Sequence, residues 1–244
     1  MESKILELIQ NLTNINSPSG NAYNAISYVK QKVEHLGYST QLTNKGALII
    51  TVEGEDNERQ RCITAHVDTL GAMVKEIKED GRLTIDLIGG FKYNAIEGEY
   101  CQIETDSGET YTGTICLHET SVHVYRENEK IPRDIEHMEV RIDEKTSSKK
   151  ETEDLGIEVG NFISFDPRTE ITSSGFIKSR HLDDKASVAM ILDLLERIKN
   201  EQIKLPHTIQ FYISNNEEIG YGANASISNK IVEFIAFDMG ALGE

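Results

Sequence analysis

HTIQFYISNNEEIGYG, residues 207–222, is an apolar, β-branched run that stops at two adjacent glutamates, Glu217 and Glu218, just ahead of two glycines. Such a run reads as a strand of a parallel sheet buried on both faces, and IVEFIAFD (231–238) has the same texture. Immediately upstream, LDDKASVAMILDLLERIKN (182–200) predicts a long amphipathic helix with an acidic start. Nearer the N-terminus, Ile5, Leu8, Ile9 and Leu12 predict a helix over 2–13, and Ala25, Ile26, Val29 and Val33 a second over 21–36. The intervening SPSG (17–20) breaks the two apart. YSTQL, ALIITVEG and RCITAHVD follow as short β-like runs. Helices alternating with apolar strands predict an α/β layer.

The texture changes after Gly71. KEDGRL and TDSGET carry Asp-Gly and Ser-Gly hairpin signals. GEYCQIET, TYTGTICLH, SVHVYR and EVRID are β-rich, and SSKKETEDLG alone reads as helical. Residues 72–165 are therefore expected to form an inserted β domain, a small barrel, and residues 1–71 and 166–244 the discontinuous α/β domain around it. The chain shows neither an internal repeat nor a low-complexity tract.

At 244 residues the chain is long enough for one large domain or two smaller ones. Its 41 acidic against 25 basic residues leave a net charge of −16, which repels a phosphate backbone and argues against nucleic acid as a partner. Solubility accounts for most of that surplus. Cys62, Cys101 and Cys116 are an odd number without Cys-x-x-Cys spacing, which predicts free thiols in a reducing cytoplasm. The N-terminal MESKILELIQ carries charges throughout and does not read as a signal peptide. No apolar run approaches the roughly 20 residues of a membrane-spanning helix, so no membrane partner is expected.

The chemistry collects at strand ends. RCITAHVD ends in His66-x-Asp68, the strand at 209–213 runs into Glu217-Glu218, IVEFIAFD ends in Asp238, and the long helix opens with Asp183-Asp184. In open α/β sheets ligands bind outside the carboxyl ends of the strands, so four segments would deliver an imidazole and several carboxylates to one edge. Converging anions repel unless protons or cations neutralise them, and mixed His and carboxylate ligation suits zinc, cobalt or manganese better than calcium. Each part has a plainer reading: a helix N-cap for Asp183 or Asp184, a solvated strand exit for the glutamates, a loop carboxylate for Asp238. His181 is close enough in sequence to approach the same site, and the other histidines read as structural or solvated. Neither a phosphate-binding loop nor a nucleophile elbow is present.

The motifs SPSG, NKGALIITVEG, TAHVDTLGAMV, IGGF, SFDP, KSRHLDDKASVA, NNEEIGYGA and AFDMGA, in this order, span nearly the whole chain. Together they resemble those of the dinuclear metallo-aminopeptidases of the glutamyl and deblocking aminopeptidase family, which includes the tetrahedral aminopeptidases. The resemblance implies a phosphorylase/hydrolase-like α/β metallopeptidase domain interrupted by a β-barrel-like dimerisation domain. It implies two divalent ions, zinc or cobalt, with His66 and Asp238 on one, Glu218 on the other and Asp183 bridging both. Asp68 would hold His66 from behind, and Glu217 would be the general base. The implied reaction removes N-terminal residues from short peptides through a water activated by metal. The implied assembly is a homo-oligomer, of dimers and up to a dodecamer.

Members of that family continue for roughly another hundred residues past the AFD motif and supply a last histidine there, so by length the chain is expected to be partial. Two other readings stay open: a related dinuclear deacylase or carboxypeptidase, and a non-catalytic assembly subunit.

Overall fold

The computed structural model describes residues 2–223, 226–240 and 243. Ala241, the last residue of the AFDMGA motif, lies outside them. The chain divides into two compact units, Met1–Thr69 with Pro167–Glu244, and Leu70–Asp166.

The first unit is built on a five-stranded sheet in the order β1 (Ser39–Leu42), β2 (Leu48–Val52), β12 (His207–Ser214), β3 (Asp56–His66), β13 (Ile231–Ala236). Helices α1 (Glu2–Thr13), α2 (Tyr23–His35) and α4 (Leu182–Asn200) share one core with its strands. Strand alternation explains the division of labour: Leu48 and Ile50 join Leu12, Val29, Leu192 and Phe211 in the helix-side core, whereas Ile49 turns the other way, against Cys62 and Tyr212. In β3, Ala65 and the following Val67 belong to the helix side, which leaves the opposite side to His66. Gly54 is needed because a Cβ there would lie 2.2 Å from the carbonyl carbon of His207.

Two expectations need correction. The sheet is mixed: β12 runs parallel to β3 but antiparallel to β2. Strand β13 is not buried on both faces. Among the described residues it is the edge of the sheet, paired with β3 alone, and Val232 and Phe234 are 59% and 45% exposed. An apolar sequence states what a strand would gain by burial, not that a neighbour covers it.

The second unit is a closed barrel in the order β4 (Gly71–Ile77), β5 (Leu83–Ile88), β8 (Met138–Ile142), β7 (Thr110–Leu117), β6 (Tyr100–Glu104), β9 (Phe162–Phe165). The two predicted hairpins join β4 to β5 and β6 to β7. Leu83, Ile85, Ile103, Ile115, Val140 and Ile163 fill the interior. Glu139 is buried in the wall with both carboxylate oxygens engaged: Lys78 Nζ lies 2.7 Å from Oε2 and Arg82 pairs with Oε1. A short helix, α3 (Lys149–Glu153), falls where SSKKETEDLG predicted one. SVHVYR (121–126) is not a strand but a succession of turns, with Val124 N and Tyr125 N both donating to Ser121 O. Its alternating valines, 59% and 70% exposed, have no core to face. In the first unit β10 (Glu170–Ile171) and β11 (Ile177–Lys178) form a small hairpin ahead of α4. Cys62, Cys101 and Cys116 are free thiols. Among the described residues no helix is long and apolar enough to cross a membrane.

Candidate metal centre

Parallel pairing brings the carboxyl ends of three strands together. His66, the last residue of β3, is level with Ser214, the last of β12, and Val67 N donates to Ser214 O at 3.0 Å. Alongside, Ala236 of β13 is level with Thr64, and Phe237 N donates to Thr64 O at 2.8 Å. The loops leaving these strands carry Asp68, Glu217, Glu218 and Asp238. Asp183 and Asp184 have non-helical backbone angles at the start of α4, so the carboxylates stand off the helix before its regular turns begin.

His66 is the hub. Its side chain is 2% exposed. Its Nδ1–H donates to the backbone carbonyl of Asp68 at 2.9 Å. A carbonyl oxygen only accepts, so this bond keeps the proton on Nδ1 and turns Nε2 toward the carboxylates. Nε2 lies 3.1 Å from Asp183 Oδ1 and 3.6 Å from Glu217 Oε2. A bare nitrogen lone pair facing two carboxylate oxygens is repulsive, so either a second proton or a cation must sit there. One ligand atom each from His66, Asp183 and Asp238 lie within 4.8 Å of one another. Imidazole plus two carboxylates is a donor set that suits zinc or cobalt, and the residues present fit such an ion.

The electrostatics report the same crowding. Burial opposes charge on His66, but Asp183, Asp68 and Asp184 outweigh it and push its pKa up to about 11. Burial raises Glu218 to about 7 and Asp184 to about 6. Burial also raises Glu217, with Asp238, Asp68 and Asp183 adding to it against the pull of His66. Asp68 goes the other way: burial would raise it, but the bonds from Ser19 and Glu217 and the neighbouring His66 ring hold it below the usual carboxylate range. Clusters of perturbed groups of this kind are characteristic of functional sites.

The sequence-predicted residues thus divide. The structure brings His66, Asp183, Asp238 and Glu217 together. Glu218 stands outside the three-donor group, with its backbone N–H donating to Asp68 Oδ2 at 3.2 Å. Asp68 does support His66, but through its carbonyl oxygen; the carboxylate Oδ1 is 3.5 Å from Nδ1. That carboxylate, fully buried, instead accepts from Ser19 Oγ, Glu217 N and Glu218 N. Asp184 accepts from His66 N at 3.2 Å. Two participants went unread in the sequence. Ser19 registered only within SPSG, a helix break and one of the motifs of the resemblance, with no role of its own. Lys185, fully buried with Nζ donating to Ile15 O at 2.6 Å, was hidden inside the apolar helix. The second lay inside the KSRHLDDKASVA motif, and the rarity of a lysine on the buried stripe of a helix marked it.

A family model described as M42 glutamyl aminopeptidase matches residues 46–244. A Bacillus subtilis (strain 168) protein carrying the provisional name aminopeptidase YhfE is 61% identical over 241 residues, covering 99% of this chain and 70% of that one. Among solved structures, an aminopeptidase, APDkam598, from the archaeon Desulfurococcus kamchatkensis superposes with a TM-score of 0.81 at 26% identity, over 91% of this chain and 59% of that one. The Pyrococcus horikoshii TET1 peptidase, which can assemble into a tetrahedron or a large octahedral shell, shares the fold with a TM-score of 0.77 at 21% identity, over 88% of this chain and 62% of that one. The chain therefore spans less than two thirds of the length of these solved proteins.

Proposed function

The chain belongs to the M42 glutamyl aminopeptidase family, a family of peptide hydrolases, and from that premise we propose that it carries the metal-binding face of an aminopeptidase acting on short peptides. The observation that carries this reading is the orientation of His66: Nδ1–H tied to Asp68 O, Nε2 turned to Asp183 and Glu217. His66, Asp183 and Asp238 would hold one divalent ion, zinc or cobalt. Asp183 and Glu218 would contribute to a second, for which catalytic zinc ordinarily takes three protein ligands. When bound, such ions polarise a scissile carbonyl and acidify a water.

The chain's own groups do the rest. Glu217 is the base: its carboxylate is half exposed, beside the donor cluster, and raised in pKa by burial, which makes it a better proton acceptor than an ordinary carboxylate, able to take a proton and return it to the departing amine. Asp68 fixes the tautomer of His66 through its carbonyl and the position of Glu217 through its carboxylate. We further propose that residues 72–165 serve as the dimerisation domain inserted between 1–71 and 166–244, that the protein forms homo-oligomers built from dimers, and that it works in the cytoplasm.

The test is hydrolysis of unblocked aminoacyl-peptides, abolished by chelator and restored by zinc or cobalt, with N-acylated peptides as the control for a deacylase. Glu217→Gln should abolish turnover while sparing metal binding. Turnover that survives Glu217→Gln removes the base assignment, and preference for N-acylated substrates removes the aminopeptidase reading.

A further inference from the structure

We infer that Ser19 is a positioning residue for this centre, acting through Asp68 on the main chain of Glu217 and Glu218. The inference rests on reading the His66 cluster as a metal site, and it concerns groups that touch neither ion nor substrate.

Ser19 and Asp68 are 3% and 0% exposed. Ser19 Oγ donates to Asp68 Oδ2 at 2.5 Å. The same carboxylate receives Glu217 N on Oδ1 at 3.1 Å and Glu218 N on Oδ2 at 3.2 Å. A buried carboxylate is costly unless its lone pairs are filled, and charge-assisted bonds to it are the strong ones. Asp68 is therefore a clamp, with its two oxygens shared between the N-terminal segment and the Glu217-Glu218 peptide planes. Without Ser19 the buried carboxylate keeps one backbone donor on each oxygen and loses the side-chain donor that shares Oδ2 with Glu218 N.

Ser19 is itself held on the strand-end loop it serves. Ser19 N donates to Thr69 O at 3.2 Å, Thr69 N to Ser17 O at 2.9 Å and Ser17 Oγ to Val67 O at 2.7 Å. Pro18 bridges Thr69 in parallel register. Residues 17–19 thus dock as an extra short strand on 67–69, the segment that also carries the carbonyl orienting His66. One four-residue turn between α1 and α2 fixes both the histidine loop and the glutamate loop. Beyond Asp68, the glutamate loop has the bonds of its own turn, in which Gly220 N donates to Glu217 O and Tyr221 N to Asn216 O.

The experiment compares wild type with Ser19→Ala and Ser19→Thr in the full 244-residue chain. The metal-free proteins are followed by amide hydrogen exchange, and cobalt binding by visible absorption. Ser19→Ala is expected to speed exchange about tenfold in peptides covering 214–222 and little elsewhere, to weaken cobalt binding by about 10- to 100-fold, the usual penalty for losing a group behind a ligand, and, since Glu218 is the proposed ligand that the Asp68 carboxylate holds, to alter the cobalt spectrum. Ser19→Thr, which keeps the hydroxyl, is expected to restore all three. Exchange and cobalt binding unchanged in Ser19→Ala would overturn the inference. So would exchange accelerated throughout the first unit, which would make Ser19 a general support. If wild type binds no cobalt, the metal reading falls, and the exchange arm still decides whether Ser19 holds the glutamate loop. If Ser19→Ala does not fold, Ser19→Cys, near-native in volume and a weak donor, gives the same readouts.

Discussion

Loading the centre with a divalent ion should expel a proton from His66. The metal-free ring carries one proton on Nδ1, committed to Asp68 O, and a second on Nε2, which is what makes the 3.1 Å approach to Asp183 Oδ1 favourable. The surrounding carboxylates push its pKa to about 11 against the opposing effect of burial. A ring with that pKa is an imidazolium at pH 7.5, yet an ion needs the Nε2 lone pair. Freeing it across about 3.5 pH units costs about 5 kcal/mol at about 1.4 kcal/mol per unit. Apparent affinity should therefore rise about tenfold per pH unit above neutrality, with about one proton released per ion. Below pH 7 the count should exceed one, because Glu218 and Asp184, raised to about 7 and 6, are then partly protonated as well. Calorimetric titration of the metal-free chain with zinc, in buffers of differing ionisation enthalpy at pH 6.5, 7.5 and 8.5, yields the proton count as a slope. A slope of zero at pH 7.5, or an affinity indifferent to pH, would refute the assignment of Nε2 as the ligand and of the imidazolium as its resting state.

Glu139→Ala should destabilise the barrel by about 2–3 kcal/mol in urea unfolding, because it strands Lys78 and Arg82; the cost stays at the low end because both cations are about a third exposed and can rehydrate. Gly54→Ala should cost at least about 2 kcal/mol, since its Cβ would meet the backbone of His207 and Thr208 at 2.2–2.6 Å. Asp184 supplies a pH dependence: burial raises its folded pKa from the ordinary 3.8 to about 6. Its stabilising contribution is therefore complete below about pH 4 and lost as pH rises through 6, about 3 kcal/mol in all. The stability difference between metal-free wild type and Asp184→Asn should change by that amount between pH 4 and 7, and a flat difference would count against it.

Much of this architecture was legible in residue order because its signals are local. The 3.6-residue spacing of Val188, Ile191, Leu192 and Leu195 in α4, the Asp-Gly and Ser-Gly turns of the barrel hairpins, and the change of texture after Gly71 all act within a few residues. The readings that missed lacked a partner term. SVHVYR alternates like a strand, and IVEFIAFD is as apolar as a buried one. Whether either is covered depends on chain that local periodicity does not see. His66 and Asp68, paired in the His66-x-Asp68 motif, do touch, but β3 ends at His66 and the contact runs to the carbonyl of Asp68 beyond the strand.

Side-chain chemistry and motif order pointed to residues that the structure brings together, an imidazole and carboxylates at strand ends, in the sequence of one peptidase family. Selection carries no orientation. Which nitrogen of His66 faces the carboxylates, which oxygen of Asp68 supports it, and that Ser19 rather than His66 fills the Asp68 carboxylate are outcomes of packing. They depend on hydrogen bonds between residues dozens to more than a hundred positions apart. Bonds of that range form only once loop closure and the buried core have brought the segments together, so no window of sequence contains them.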